Sequence, residues 1–397
     1  MKQVISTEQK PIKLWLDDIE AGALEQAKNL ANLPFVFRHI ALMPDAHQGY
    51  GMPIGGVMAT QGVVVPNAVG VDIGCGMCAV KTSIQALDQE TLKKIIGGSK
   101  EYKGGIRSAV PVGFSHHSKK QDEALMPHGV DFDDSKLPIV KREYYSALKQ
   151  IGTLGGGNHF IEMQQGNDGF VWLMIHSGSR NIGFKVAHHY NELAIALNEQ
   201  WRSSVPKNWQ LAFLPLDTNE GQAYLEEMQY CVDFALASRG LMMELVKRSI
   251  VEIVGDVSFG EIINIAHNYA AMEHHFGTNV TIHRKGATKA CPGQLGIIPG
   301  SQGTASYIVQ GKGEPESFMS CSHGAGRRMG RKQAQRELSL DGEIARLDAI
   351  GVIHGIRNAQ DLDEAAGAYK DIDTVMRNQA DLVDIVVKLR PLAVIKG

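Results

Sequence analysis

Short apolar runs bounded by glycine recur along the chain, at Gly62–Val65, Val171–Ile175, Asn279–His283, Gly296–Ile298 and Tyr307–Val309. Runs of this length and punctuation predict strands. Apolar positions three and four apart predict helices over Phe184–Trp201, Ala223–Lys247, Glu261–His274 and Asp381–Leu389. One more helix is expected after Gly326, running through an Arg/Lys-rich stretch to Leu338. Strands and helices interleave without regular βαβ spacing, so the expected class is α+β, with mixed and antiparallel sheets and flanking helices. Periodicity fades between Lys93 and Lys141, where Lys119-Lys120 and Asp131–Asp134 fall. Residues 93–147 are therefore expected to form a peripheral insertion within a single catalytic domain spanning 1–397.

Composition narrows the function classes. The net charge of −3 argues against a protein that coats nucleic acid non-specifically, though not against a local basic groove. No apolar stretch approaches the ~20 residues of a membrane helix. The five cysteines are odd in number and scattered, which fits a reducing cytoplasm better than a disulfide framework. Glycine is in excess, at 43 of 397 residues, and clusters beside polar residues. Tight turns that hold side chains over a site have this look.

Four glycine-rich clusters carry candidate chemistry. In VGVDIGCGM (Val69–Met77), Asp72 and Cys75 share one tight loop, and a carboxylate with a thiolate can reach a metal of borderline softness. A structural thiol loop is an equal alternative on these residues alone. Cys78 completes a C-x-x-C, but no second such pair supports a zinc site. In GTLGGGNHFIE (Gly152–Glu162), three glycines precede Asn158 and His159 and could turn backbone N–H groups toward phosphate. The run Val171–Ile175 then ends in His176-Ser177-Gly178-Ser179-Arg180, where Arg180 could grip phosphate with two hydrogen bonds or simply lie on the surface.

The remaining signals are individually weak. His267 falls on the apolar side of its expected helix, as ligand or core residue, while His274 and His275 read as solvated. IPGSQGTASY (Ile298–Tyr307) offers hydroxyls around glycines, suited to nucleotide contacts. SCSHGAGR (Ser320–Arg327) holds His323 among small residues, with room to act as a nucleophile toward phosphorus. Arg327, Arg328, Arg331, Lys332 and Arg336 follow, either an electrostatic footprint for an RNA end or a solvated helical face.

Taken together, these blocks resemble the RtcB RNA ligases along essentially the whole chain, from MPDAHQG (Met43–Gly49) through HSGSR, AHNY, RKGAT, PGSQGTASY, CSHGAGR and AYKDID to the terminal VIKG. The resemblance implies a fold peculiar to the family around a central cleft with two manganese ions. The implied ligands are Asp72, Cys75, His159, His176 and His267, with Cys75 shared between the ions. His323 is implied as the residue that becomes guanylylated by GTP, with Asp45 orienting its ring. Asn158, Phe160, Glu162, Ser301, Ser306, Tyr369 and Lys396 are implied to hold GMP, with Arg180 and Arg327 beside the phosphates.

The implied partner is RNA with a 3′-phosphate or 2′,3′-cyclic phosphate and a 5′-hydroxyl, such as tRNA or rRNA fragments. No membrane partner is expected, and a monomer is the default. Val112–Lys120 reads VGFSHHSKK, poorer in arginine than bacterial members lead one to expect. Two rivals remain: a dinuclear metallophosphoesterase that trims RNA ends without joining them, and a catalytically inactive RNA-binding or translation-associated relative.

Overall fold

Seven strands in antiparallel pairs form the larger sheet, ordered Ile263–Ala266, Gly76–Lys81, Val171–Ser177, Phe160–Gly166, Val383–Lys396, Ser306–Gly311 and Leu295–Ile298. This arrangement comes from a computed structural model that describes residues 1–128 and 137–397. The Asp131–Asp134 run lies outside the described residues. A second, six-stranded sheet is ordered Gln3–Ile5, Ile12–Leu14, Val36–Tyr50, Met52–Thr60, Thr278–Lys285 and Asn268–His275. All of its pairs are antiparallel except Ile12–Leu14 with Val36–Tyr50. The architecture is α+β.

Two apolar layers hold the sheets in place. Val57, Ala59 and Ile282 of the smaller sheet pack with Ile298, Tyr307 and Val309 from the edge of the larger one. Further along the larger sheet, Ile161, Leu173 and Ile175 pack against Met242, Met243 and Val246 of the helix Asn219–Val254. That helix has 36 residues and so spans about 54 Å. Its first turn is capped by Thr218, whose hydroxyl accepts from the Gly221 N–H. Part of residues 93–147 joins the same layers: Ile95, Ile106 and Val110 pack beneath the larger sheet, and Ile139, Val140 and Tyr144 pack with Tyr190 and Tyr224.

The five expected strands appear, as do the helices expected at 184–201 and 223–247, observed as Arg180–Gln200 and Asn219–Val254. Two expected helices are strands instead. Over Glu261–His274 the chain forms Ile263–Ala266 and then a hairpin of Asn268–His275 with Thr278–Lys285. Phe276 and Gly277 at its tip have φ of 50° and 76°, the left-handed backbone that a tight two-residue hairpin needs. Asp381–Leu389 lies mostly in the strand Val383–Lys396, where register shifts near Ile385 and Pro391 break the alternation that would have betrayed it. The helix expected after Gly326 begins only at Arg331 and ends at Glu337. His275, expected in solvent, is buried, and its Nε2 lies 2.9 Å from the Glu273 carboxylate.

One buried cation ties these elements together. Arg239, with no solvent exposure, reaches from the long helix with Nη1 donating to the carbonyls of Gly74 at 2.9 Å and Ser177 at 2.8 Å. Its Nε donates to Asn264 Oδ1 at 2.8 Å and its Nη2 to the Ile265 carbonyl at 3.3 Å. Arg239→Met keeps the bulk but strands these four acceptors, at a cost of roughly 2–5 kcal/mol. Urea unfolding should show a lowered midpoint with an unchanged slope; an unchanged midpoint would mean that Arg239 fastens nothing.

Candidate functional site

The loop 70–75 turns through Gly70 and Gly74, with φ of 98° and 72°, and closes with Cys75 N–H donating to the Asp72 carbonyl at 3.1 Å. It is pinned to the strand pair behind it: Gly74 N–H donates to the Asn268 carbonyl at 2.8 Å, and His267 N–H to the Cys75 carbonyl at 2.8 Å. His267 therefore sits at the junction of two strands rather than on a helix. His176 lies near the end of the Val171–Ser177 strand, directly across from Phe160. His159 comes from the glycine-rich strap just before that partner strand.

These side chains converge. Cys75 Sγ lies 3.3 Å from His176 Nε2 and 3.6 Å from His159 Nε2. His159 Nε2 is 3.1 Å from Asp72 Oδ2, and His176 Nε2 is 3.4 Å from His267 Nε2. Two sets of ligand atoms, Cys75 with His176 and His267, and Asp72 with Cys75 and His159, each fall within 4.8 Å. Cys75 belongs to both. The His176 Nδ1–H donates to the Asn158 carbonyl at 3.1 Å, which leaves its Nε2 lone pair facing the cluster.

Burial pushes His176 and His267 well below the usual imidazole range, so both are neutral and able to act as ligands. Burial, followed by the Asp72 charge, pushes the Cys75 thiol well up. A divalent cation held between them would reverse that and deprotonate the thiol. Thiolate, imidazole and carboxylate suit a borderline divalent metal.

His323 stands next to this cluster, with its ring centroid 4.8 Å from that of His267. It follows the strand Ser320–Ser322, and its loop is closed on the fully buried carboxylate of Asp45. Asp45 Oδ2 accepts from His323 Nδ1 at 2.6 Å, from the His323 N–H at 3.0 Å and from the Gly324 N–H at 3.3 Å. Burial opposes ionisation of Asp45, but the His323 charge and hydrogen bond hold it below the usual carboxylate range. An ionised carboxylate only accepts, so His323 Nδ1 carries a proton, and in the neutral ring the lone pair is on Nε2. Gly326 is needed here: its φ is 74°, and a Cβ there would lie 2.2 Å from the Asp45 carbonyl oxygen.

A cavity of about 230 Å³ opens beside His323. Strand alternation places Phe160 and Glu162 on its wall, and the neighbouring strand adds Val394 and Lys396, their register partners reversed. Asn158, Ser301, Arg327 and Tyr369 complete the set of expected residues on the lining. Ser306 lies behind the wall, where its hydroxyl accepts from Gln164 Nε2 at 3.0 Å and from Gly300 N–H at 3.1 Å. Arg180 is on the metal side instead, with φ of 60°, donating to Thr153 Oγ1 at 3.3 Å and to the Gly113 carbonyl at 3.4 Å.

Glu162 is buried, and burial lifts it to about 8, with Lys396 only partly opposing. Its Oε2 accepts from Gln164 Nε2 at 2.9 Å, while its Oε1 has no hydrogen-bond partner. The sequence reading missed Glu364. Its buried carboxylate accepts from Arg327 Nη1 at 3.2 Å and from the Tyr369 hydroxyl, and lies 3.3 Å from Arg331 Nη2 and 3.8 Å from Lys396 Nζ. Nothing in the run AQDLDEAAG distinguishes it from Asp361 or Asp363 beside it. Arg328 points away, donating to the Gly367 carbonyl at 2.9 Å.

A family model described as tRNA-splicing ligase RtcB matches residues 26–397. The chain belongs to the RtcB family. An RNA-splicing ligase RtcB of Escherichia coli K12 is 39% identical over 416 residues, covering 100% of this chain and 99% of its own. The tRNA-splicing ligase RtcB of Thermococcus kodakarensis is 32% identical, covering 94% of this chain and 91% of its own. The RNA-splicing ligase RtcB of Mycobacterium tuberculosis is 33% identical, over 94% of this chain and 100% of its own. Among the described residues, no helix is long and apolar enough to cross a membrane.

Within this RtcB site the two cysteines of C-x-x-C part company. Cys78 is buried among Val80, Ile161 and Met243, with its thiol pushed up to about 12 by burial. Cys75→Ala should lower divalent-metal affinity by at least ~10–100-fold, since it removes a shared ligand, whereas Cys78→Ala should retain wild-type metal content. Elemental analysis after dialysis reads both. Equal metal content in Cys75→Ala and wild type would remove the thiolate from the centre.

Proposed function

We propose that this protein is a GTP- and manganese-dependent RNA ligase that joins 3′-phosphate or 2′,3′-cyclic phosphate ends to 5′-hydroxyl ends through a histidine–guanylate intermediate. The observation that carries the reading is the position of His323, held by Asp45 between the cluster of ligand atoms and the cavity lined by Glu162 and Lys396. Asp72, Cys75, His159, His176 and His267 would hold two manganese ions, which when bound neutralise charge on the phosphates.

The chain's own residues account for the rest. His323 Nε2 attacks the α-phosphorus of GTP, so that a P–N bond forms and the P–O bond to pyrophosphate breaks. Asp45 keeps the Nδ1 proton in place and stabilises the positive charge that develops on the ring. The guanylyl group passes to an RNA 3′-phosphate, and a 5′-hydroxyl then attacks that end and releases GMP. Each step is a displacement at phosphorus, in which positioning and charge stabilisation dominate. Tyr369, Arg327 and Lys396, organised by Glu364, provide donors on one side of the cavity. Glu162 suits guanine, whose N1–H and N2–H₂ edge donates twice. Natural substrates of this chemistry are broken tRNA or rRNA, in repair or splicing.

Incubation with α-labelled GTP and manganese tests the reading directly. Labelled protein should lose GMP in acid and keep it in alkali, as a P–N bond does, and His323→Ala should never become labelled. A label on His323→Ala, or an alkali-labile one, overturns the mechanism. The absence of any label together with turnover of cyclic phosphates would establish the metallophosphoesterase rival.

Glu162 supplies a pH test. Accepting from guanine requires the carboxylate, but in the free protein burial raises it to about 8. Guanosine binding should therefore release a proton, and affinity should rise up to ~10-fold per pH unit toward pH 8 and then level off. For the ligand-free fold the sign is opposite: the contribution of Glu162 is full below pH 4.5 and is lost as pH rises through 8. Calorimetric titration in buffers of different ionisation heat reads the proton, and zero release would exclude this role. Glu162→Gln should reduce GTP-over-ATP selectivity by roughly 1–3 kcal/mol.

A further inference from the structure

Phe114 is fully exposed, the most exposed large apolar side chain among the described residues. Single exposed apolar residues are ordinary on a surface; the position of this one is not. Phe114 sits at the tip of a turn closed by Ser115 N–H donating to the Val112 carbonyl at 3.1 Å, with Gly113 before it at φ of 64°. The turn is fastened to the glycine strap of the site. Gly113 N–H donates to the Gly155 carbonyl at 3.0 Å, and Leu154 N–H donates to the Pro111 carbonyl at 2.9 Å. The far side of the loop is tied down as well, by His117 N–H on the Lys149 carbonyl at 3.0 Å and Gln121 N–H on the Leu148 carbonyl at 2.9 Å. An aromatic ring is thus presented to solvent on a loop that is already ordered.

Its surroundings define what could cover it. Gly156 lies beside the turn, where an added Cβ would come within 3.9 Å of the Gly113 Cα, and precedes His159 by three residues, at most about 11 Å of chain; Gly397 packs on the same strap, its N–H donating to the His159 carbonyl at 3.4 Å. Arg180 joins the turn to the metal side through the Gly113 carbonyl. Across the strap, Arg331 guanidinium nitrogens would lie 3.1 and 3.2 Å from a Cβ on Gly157. Lys119 and Lys120 follow on the same loop, both exposed, with the Lys120 ammonium 4.3 Å from the Tyr145 ring centroid. This exposed ring, with Lys119, Lys120 and Arg331 in the same region, is far too small for a protein partner that needs ~1,000 Å² of interface. It suits one nucleobase with its phosphates alongside.

We infer that Phe114 is a stacking platform for a base near the 3′ end of the RNA, holding the strand beside the site while its terminal phosphate enters. The inference rests on the ligase reading for its substrate but is tested without ligation. A single-stranded RNA ending in 3′-phosphate, with 2-aminopurine as its last base, is titrated with the full-length protein and no GTP. Stacking quenches the fluorescence, and anisotropy reports affinity. Phe114→Ala should lose the quench and bind about tenfold more weakly. Phe114→Trp should retain both and Phe114→Leu neither, with GTP labelling of His323 equal in all four proteins. Wild-type quench and affinity in Phe114→Ala, equal rescue by Leu and Trp, or no binding of this RNA by the wild type each overturn the platform. Failure of GTP labelling in the wild type, with the quench intact, instead overturns the ligase reading and leaves the platform standing.

Discussion

A buried thiol shared between two sets of ligand atoms is the constraint around which this structure is arranged. Cys75 lies within reach of His159 and His176, and Asp72 shares its loop, yet these residues come from backbone segments far apart in sequence. Holding them together without a cation is costly, since burial raises the thiol and strips His176 and the neighbouring His267 of charge. The scaffold absorbs that cost by fixing the backbones. Arg239 clamps Gly74 and Ser177 from the long helix, and strand register places His176 opposite Phe160.

The two sheets divide the labour. On adjacent strands the larger one carries residues of the Cys/His cluster and of the cavity wall, so Phe160, Glu162 and Lys396 share a wall while His176 turns toward the cluster. The smaller sheet contributes Asp45, whose buried carboxylate crosses to the other side and holds His323. A histidine oriented from one sheet, beside a Cys/His cluster carried largely by the other, stays in place only if the sheets are packed rigidly. The layer containing Val57, Ile282, Ile298 and Val309 provides that packing.

Electrostatics on the nucleotide side follow the same logic of paired extremes. Glu162 is raised to about 8 with one oxygen unpartnered, while Glu364, on the lining of the same cavity and 3.8 Å from Lys396 Nζ, is surrounded by donors. One carboxyl is left open for a ligand, and the other is spent on holding the cations that face it. The basic helix starts only at Arg331, so His323 stands beside Asp45 and His267 and not at a helix end.

Much of the site could be read from the chain before any fold was known. The glycine-flanked loops marked Asp72, Cys75, His159, His176 and His323 as candidates, because tight turns around a polar side chain leave a local signature, and the resemblance to the RtcB ligases supplied their expected roles. The five short strands and the two long amphipathic helices were legible for the same reason, since their periodicity is local. What could not be read depends on long-range pairing. Ile263–His275 and Val383–Lys396 look helical by spacing, and only their partners, with a left-handed hairpin turn in one and two register shifts in the other, make them strands. Glu364 and Arg239 carry no local mark at all. Their roles exist only once distant backbones bring carbonyls, a tyrosine and three cations within hydrogen-bond reach, which is a property of tertiary packing and not of any segment.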